Sequence, residues 1–415
     1  MRKYNLAATL LVAIVLAGCG GGGSSGGSQA PKVSFTSEVT FGDSLSDVGT
    51  YAVPTITAYG GGGQYTINGT GKNWTELMAA QLGLPAPCAA ETGLNGTVFG
   101  VGVTITPHPG CYNYAQGGAR VTSPYGPGNV ALVSLNAGYG QLGQLTVPIT
   151  TQIDNHLAAV GGKFSGSEIV FVMAGANDVL IQLGALQTGA TAAATAAVTA
   201  AVPAQIAADI AAGTCLPANA ATTCVSVAAG ELTPTVGAAA ALAYIQANAA
   251  TALTAIVTAA TDLTGYVNGK IIGNGAKYVV VINMPDVSST PAGTAADAAL
   301  PGMKSMINTL VTTFNSQLQA GLANNPNVLF VDAYTVHRDE VANPAAYSLS
   351  NVTTPACNLT APKNPIGSSL MCNAGNLSPG VDSHYLFSDT VHPTPYGYLL
   401  LARLVSKDML IKGWL

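Results

Sequence analysis

Three short apolar runs constrain this chain more than any other feature. They are Glu168-Ile169-Val170-Phe171-Val172-Met173, Tyr278-Val279-Val280-Val281-Ile282 and Val328-Leu329-Phe330-Val331. Each has the length of a strand and lacks the polar alternation of a half-exposed one, so each is expected to be buried on both faces, as in a parallel sheet covered by helices. A fourth strand is expected from Val33-Ser34-Phe35 through Val39-Thr40-Phe41, broken by Gly42. Between the runs the apolar residues recur at helical spacing. Ile149, Ile153, Leu157 and Val160 mark one helix, Ile245, Leu253, Ile256, Val257, Leu263 and Val267 a second, and Met303, Met306, Ile307, Leu310, Phe314 and Leu318 a third. A closing helix is expected from Tyr396 to Leu410. Strands alternating with helices predict an α/β fold.

Polar motifs stand where these strands end. The strand from Val33 to Phe41 leads into Gly42-Asp43-Ser44-Leu45-Ser46-Asp47, and a serine at such a corner is held by a rigid sheet while its hydroxyl faces a cleft. The run Glu168 to Met173 leads into Ala174-Gly175-Ala176-Asn177-Asp178, at the sheet edge where ligands bind in open parallel sheets. Asn113-Tyr114-Ala115-Gln116-Gly117-Gly118-Ala119-Arg120 carries paired glycines, which let backbone approach a ligand closely. No Lys-Ser/Thr follows it, so it is not a phosphate loop. Near the end, Asp389-Thr390-Val391-His392 precedes Pro393, and an Asp three residues before a His can reach the ring nitrogen and fix its tautomer. Asp382 and His384 lie nearby in sequence, but the spacing does not match a helical His pair, and no metal is expected.

The N-terminal segment reads as an address. Arg2 and Lys3 precede an apolar run from Leu6 to Leu16 that is too short to span a bilayer. Leu16-Ala17-Gly18-Cys19 resembles the lipobox of bacterial lipoproteins, which makes residues 1–18 a signal peptide and Cys19 the lipidated first residue of the mature chain. A Gly/Ser tether follows to residue 32. Residues 33–415 are read as one domain, interrupted at about 184–237 by an Ala/Thr-rich stretch of helical segments and loops containing Pro203, Pro217 and Pro234. Charged residues make up only 8% of the chain and no Lys/Arg cluster occurs, which argues against nucleic acid as a partner. Apart from Cys19 there are six cysteines, and of their fifteen possible connectivities the most economical is Cys88–Cys111, Cys215–Cys224 and Cys357–Cys372. Disulfides suit an exported chain. Trp74, Leu77, Met78 and Leu82 recur at helical spacing before Gly83 and Pro85, and Trp74 is read as a core anchor.

Taken together and in order, Gly42-Asp43-Ser44-Leu45-Ser46, Gly117-Gly118, Gly175-Ala176-Asn177-Asp178 and Asp389-Thr390-Val391-His392 resemble the four blocks of the SGNH, or GDSL-type, hydrolases. Asn68 to Leu84 and Met284-Pro285-Asp286 resemble the secreted esterase, lipase and acyltransferase branch. The resemblance implies a three-layer α/β/α sandwich with a central, about five-stranded parallel sheet. It implies Ser44 as nucleophile, His392 as base and Asp389 as its orienting acid. Ser44 and Gly118 would supply backbone oxyanion donors, the latter as the glycine five residues after Asn113, and Asn177 a side-chain donor. No cofactor is implied. The expected partner is an acyl ester, lipid or small, and the expected location is the bacterial cell envelope through a lipid anchor, at the outer membrane, or outside the cell. A carbohydrate acetylesterase or a lipid acyltransferase would use the same residues, and a non-catalytic surface-binding lipoprotein could use the same fold. Oligomeric state is not legible.

Overall fold

The structure is a computed structural model, and it describes residues 33–69, 71–96, 102–132 and 142–415. The signal-like segment 1–18, Cys19 and the tether to residue 32 lie outside the described residues. The strands are β1 (Glu38–Gly42), β2 (Glu91–Leu94), β3 (Val103–Pro107), β4 (Ile169–Met173), β5 (Tyr278–Ile282) and β6 (Val328–Val331). The helices in chain order are α1 (Pro54–Thr57), α2 (Trp74–Gln81), α3 (Ile149–Ala159), α4 (Ala176–Ala212), α5 (Thr223–Leu232), α6 (Ala238–Gly265), α7 (Pro291–Ala299), α8 (Met303–Leu322), α9 (Ala333–Ala342) and α10 (Pro395–Lys412).

The central sheet has the order β1-β4-β5-β6, all parallel, and β2 and β3 form a separate antiparallel hairpin. Side chains of the central strands alternate between two apolar layers, as the period of two requires. Val39, Phe41, Val170, Val172, Val279 and Val281 face the layer built with α3, α4, α6 and α8. Ile169, Phe171, Met173, Val280 and Ile282 face the layer built with α2 and α10. The architecture is therefore helices, sheet, helices.

Four regular strands are described in this sheet, one fewer than expected. The fifth position, beside β1, is taken by residues 112–116 without becoming a strand. Thr40 N donates to Tyr112 O at 3.0 Å, Tyr114 N to Thr40 O at 2.8 Å, and Gln116 N to Gly42 O at 3.1 Å. The ladder stops there because Gly117 and Gly118 turn the chain away, Gly118 with φ +83°. The Cys88–Cys111 disulfide enters just before it, and Cys215–Cys224 and Cys357–Cys372 are also linked.

The Ala/Thr-rich stretch is more regular than its prolines suggest. α4 runs on through Pro203 to Gly213, where φ of +74° ends it. A proline in a helix interior removes one hydrogen bond and costs about 3 kcal/mol. The surrounding alanines, the best helix formers, and packing against α5 and α6 carry the helix across it. Pro217 starts a single 3₁₀ turn, and Pro234 sits in a π-helical turn that joins α5 to α6.

Trp74 is wholly buried under the sheet, its ring edge-to-face on Phe171 at 5.0 Å, and its indole N–H donates to Ser46 Oγ at 3.3 Å. It therefore braces the layer directly below the Ser44 corner. Trp74→Ala is expected to cost about 3–5 kcal/mol, the range for a large aromatic removed from a packed core. Urea unfolding checks this, and a loss below about 1 kcal/mol would contradict the bracing role.

Candidate active site

The parallel register sets the ends of the central strands level. Gly42 lies opposite Met173, Met173 opposite Ile282, and Ile282 opposite Val331. The residues that follow, Asp43-Ser44, Ala174 to Asn177, Asn283 to Pro285 and Asp332-Ala333, therefore gather along one edge of the sheet. The chain leaves β1 first for the 112–116 side and then for β4 on the other, so β1 stands at the topological switch point, where open α/β sheets bind ligands. Ser44 sits at that point.

The corner before Ser44 is held by a side chain from α3. Gln152 imitates a neighbouring strand: Gly42 N donates to its Oε1 at 2.9 Å, and its Nε2 donates to Gly42 O at 2.9 Å. Beyond Gly42, Leu45 N donates to Asp43 Oδ1 and Ser46 N to Asp43 O, closing a turn around Ser44. Gly42 has no room for a side chain, since a Cβ would lie 2.8 Å from Met173 O.

The tail brings His392 to this corner. Its Nε2 lies 2.8 Å from Ser44 Oγ, and its Nδ1 lies 2.8 Å from Asp389 Oδ2 and 2.9 Å from Oδ1. Asp389 is buried and accepts three backbone N–H bonds, from Ser369, Val391 and His392. Burial alone would raise its carboxyl, but the adjacent His392 and these donors outweigh burial and hold it well below the usual carboxylate range. The Tyr65 ring lies against the imidazole with centroids 4.6 Å apart. Asp382 and His384 remain in their own exposed turn, where Asp382 accepts from Ser350 Oγ and His384 N.

The paired glycines lie across from Ser44. Gly117 N donates to Asp47 Oδ2 at 3.0 Å, while Asp47 Oδ1 takes Gly49 N and Thr50 N. Asp47 thus ties the glycine loop to the serine loop. Among the described residues, neither Ser44 N nor Gly118 N donates to a protein acceptor. Gly118 has φ +83°, a backbone conformation that favours glycine, and a Cβ there would crowd Gln144 Oε1 at 2.7 Å and Thr146 Cγ2 at 2.8 Å. Asn177 stands in the first turn of α4, but its amide does not cap that helix. It crosses to the glycine loop, donating to Ala119 O at 2.9 Å.

Ser44, Gly118, Asn177 and His392 border one cavity of about 240 Å³. Its walls are mostly apolar and come from Leu180, Met284, Val287, Val336, Leu401 and Leu404. The sequence placed Ser44, Gly118, Asn177, Asp389 and His392, and the structure brings all five to this cavity or directly behind it. It did not place Gln152, Asp47, Tyr65 or the α9 wall. Asp47 lay in plain view in the serine motif, where an acid beside turn glycines signals backbone capture. The others carry no local signal.

The chain matches the family described as GDSL-like Lipase/Acylhydrolase over residues 39–405. It is 30% identical over 136 residues to Esterase EstA of Pseudomonas aeruginosa and, equally, to Esterase EstA of Pseudomonas putida. That match covers 31% of this chain and 19% of each esterase, so the matched part spans about a fifth of those relatives. It is also 25% identical over 149 residues to the anther-specific proline-rich protein APG of Arabidopsis thaliana, across 34% of this chain and 27% of that one.

Three acids, Glu38 at the start of β1 and Asp43 and Asp47 in the loop after it, are shifted the opposite way from Asp389. Burial pushes Glu38 up to about 8, Asp43 up to about 7 and, against three backbone hydrogen bonds, Asp47 up to about 6. One oxygen of Glu38 and one of Asp43 are buried without a hydrogen-bond partner among the described residues. Raised acids hold more protons in the folded than in the unfolded chain once pH exceeds the unfolded value near 4. Their ionisation therefore removes stability as pH rises through about 6, 7 and 8. Asp389 acts in the other direction, its contribution being present above about pH 4 and lost as pH falls below it. The melting temperature is expected to be higher at pH 6.5, the ordinary histidine value, than at pH 8.5, with Asp43→Asn flattening the decline; below that value His156 and His337, lowered by burial to about 4, oppose it. A melting temperature that rises across this window would contradict the assignment.

Proposed function

The chain belongs to the GDSL-like lipase/acylhydrolase family, a family of ester-bond hydrolases, and from that premise we propose a serine-dependent carboxylic ester hydrolase that works through an acyl-enzyme. The observation that carries this reading is the 2.8 Å contact between His392 Nε2 and Ser44 Oγ, made across 348 residues of sequence, with Asp389 behind the ring. Ser44 Oγ attacks the ester carbonyl as its proton passes to His392 Nε2. Asp389 holds the tautomer and stabilises the imidazolium. The tetrahedral oxyanion meets the N–H groups of Ser44 and Gly118 and the amide of Asn177. That Gly117 N is committed to Asp47 supports Gly118 as the glycine donor. Collapse expels the alcohol, which takes the proton from His392. Water then attacks the acyl-serine, gives a proton to His392 and releases the acid as that proton returns to Ser44.

The apolar cavity wall supports an acyl chain as the bound group rather than a glycan, which would call for aromatic platforms and amides. An alcohol in place of water would make the same site an acyltransferase. Export with lipidation at Cys19 remains part of the proposal, supported by the signal-like run and the Gly/Ser tether. Cys19→Ser is expected to move the protein from the membrane to the soluble fraction, and membrane retention of this variant would count against the anchor.

The test of mechanism uses nitrophenyl butyrate and decanoate with purified protein. Ser44→Ala is expected to lose turnover while keeping its melting temperature. Asn177→Ala is expected to lower kcat about 10²–10³-fold, because the lost donor meets charge that develops only in the transition state. Its KM should stay within a few-fold. Wild-type turnover in the Ser44→Ala variant would dispose of the mechanism, and normal kcat in Asn177→Ala would remove Asn177 from the oxyanion site.

A further inference from the structure

The cavity that opens at Ser44 is not apolar throughout. It crosses the sheet edge from the end of β1, past Asn177 and Leu180 after β4 and Met284 and Val287 after β5, to α9 after β6. Three strand spacings of about 4.8 Å make this a trough roughly 14 Å across. α9 lines the trough with Ala333, Val336, His337 and Glu340, positions three and four apart that share one helical face. Ala333 adjoins the strand end. Seven residues on, Glu340 lies about 10 Å further along the helix axis.

Glu340 is an anomaly on such a wall. It is 6% exposed, and its carboxyl makes no hydrogen bond or ion pair to any described residue. Glutamate is almost never buried unpaired, because desolvating the carboxyl without a partner costs free energy. Its neighbours Arg338 and Asp339 point to the exposed side, where Arg338 bonds Asn308 and Tyr334, and Asp339 bonds Asn343 and Tyr347. Neither is an ion-pair partner of Glu340 on the cavity side. His337, one turn earlier, shares a hydrogen bond with Ser289 Oγ through Nδ1 at 3.3 Å, and its Nε2 has no protein partner among the described residues.

Resting on the ester-hydrolase reading above, we infer that Glu340 and His337 form a polar subsite at the far wall of the acyl cavity, and that the preferred substrate is an ester whose acyl chain carries a hydroxyl group remote from the carbonyl. A hydroxyl both donates and accepts, so it can satisfy a carboxyl and a ring nitrogen together. Burial, with the nearby Asp339 charge, pushes Glu340 up to about 7, which favours a neutral hydroxyl over a cationic group as its partner near neutral pH. An apolar acyl chain of equal length leaves both groups unpaired, and a site built to hydrogen-bond its substrate discriminates strongly against the analogue that lacks the polar group.

The test compares nitrophenyl esters of hexanoic, decanoic and dodecanoic acids with those of the corresponding ω-hydroxy acids. The readout is the ratio of kcat/KM for the hydroxylated ester to that for the plain ester at each length. Wild type is expected to give a ratio above one at the best-fitting length, whereas a wholly apolar wall would penalise the hydroxyl about tenfold or more. Glu340→Leu is expected to lower that ratio at least about tenfold, and Glu340→Gln, which still donates and accepts, to keep it within about threefold. Circular dichroism confirms that each variant is folded. A wild-type ratio below one at every length overturns the subsite with no variant needed, as does a ratio unmoved in a folded Glu340→Leu protein. Those two results leave the hydrolase reading standing. Wild type that cleaves none of the esters overturns both.

Discussion

A carboxylate buried away from water must be surrounded by donors, and Asp389 is the point on which the site depends. Its oxygens take the backbone N–H groups of Ser369, Val391 and His392 as well as the His392 ring. Two of these donors belong to its own turn and set the ring at the correct distance. The third comes from a separate loop held in place by the Cys357–Cys372 disulfide and by Asn68, whose amide donates to Ser369 O and Cys372 O. The imidazole is thereby aimed outward at Ser44, and its orientation is fixed before any substrate arrives. Preorganisation of this kind carries no reorganisation cost at the moment of reaction.

The sheet supplies the other half of the constraint. Because β1 stands at the switch point, its end is open to loops from both sides, with the glycine loop arriving from residues 112–118 and Asn177 from the end of β4. Asp47, Gln152 and Asn177 then lock these loops by side-chain bonds to backbone. Such bonds place bare N–H groups to within a fraction of an ångström, which no flexible loop could do. The same strand-end alignment opens the trough towards α9. In the function proposed above, chemistry and acyl binding are thus two ends of one sheet edge.

Much of this was legible in the sequence, for identifiable reasons. Strands buried on both faces read as unbroken apolar runs, so β4, β5 and β6 stood out, and the helices between them showed their inward spacing, except that Val257 on α6 faces outward while Ile245, Ile256 and Leu263 enter the core. The polar motifs were visible because they interrupt that pattern at strand ends. The fifth strand position was not resolved, since residues 112–116 pair through backbone groups that leave no mark in side-chain pattern. The persistence of α4 through Pro203 was missed because a local breaker was overridden by alanine propensity and packing. Gln152 and Glu340 were invisible for a different reason. Each lies on a helix whose face can be assigned only when its neighbours in space are known, and each sits among other polar residues, Gln152 after Thr150 and Thr151 and Glu340 after His337, Arg338 and Asp339, that give no sign of which one turns inward.

The central claim is that Ser44 is singled out among the chain's many serines by His392 and Asp389. The most direct measurement is labelling of the intact protein with a fluorophosphonate, followed by mass spectrometry of the peptides. One adduct per chain, located on Ser44 and abolished by His392→Ala, is the predicted result. Labelling spread over several serines, or adduct formation at Ser44 that persists at the wild-type rate without His392, would contradict it.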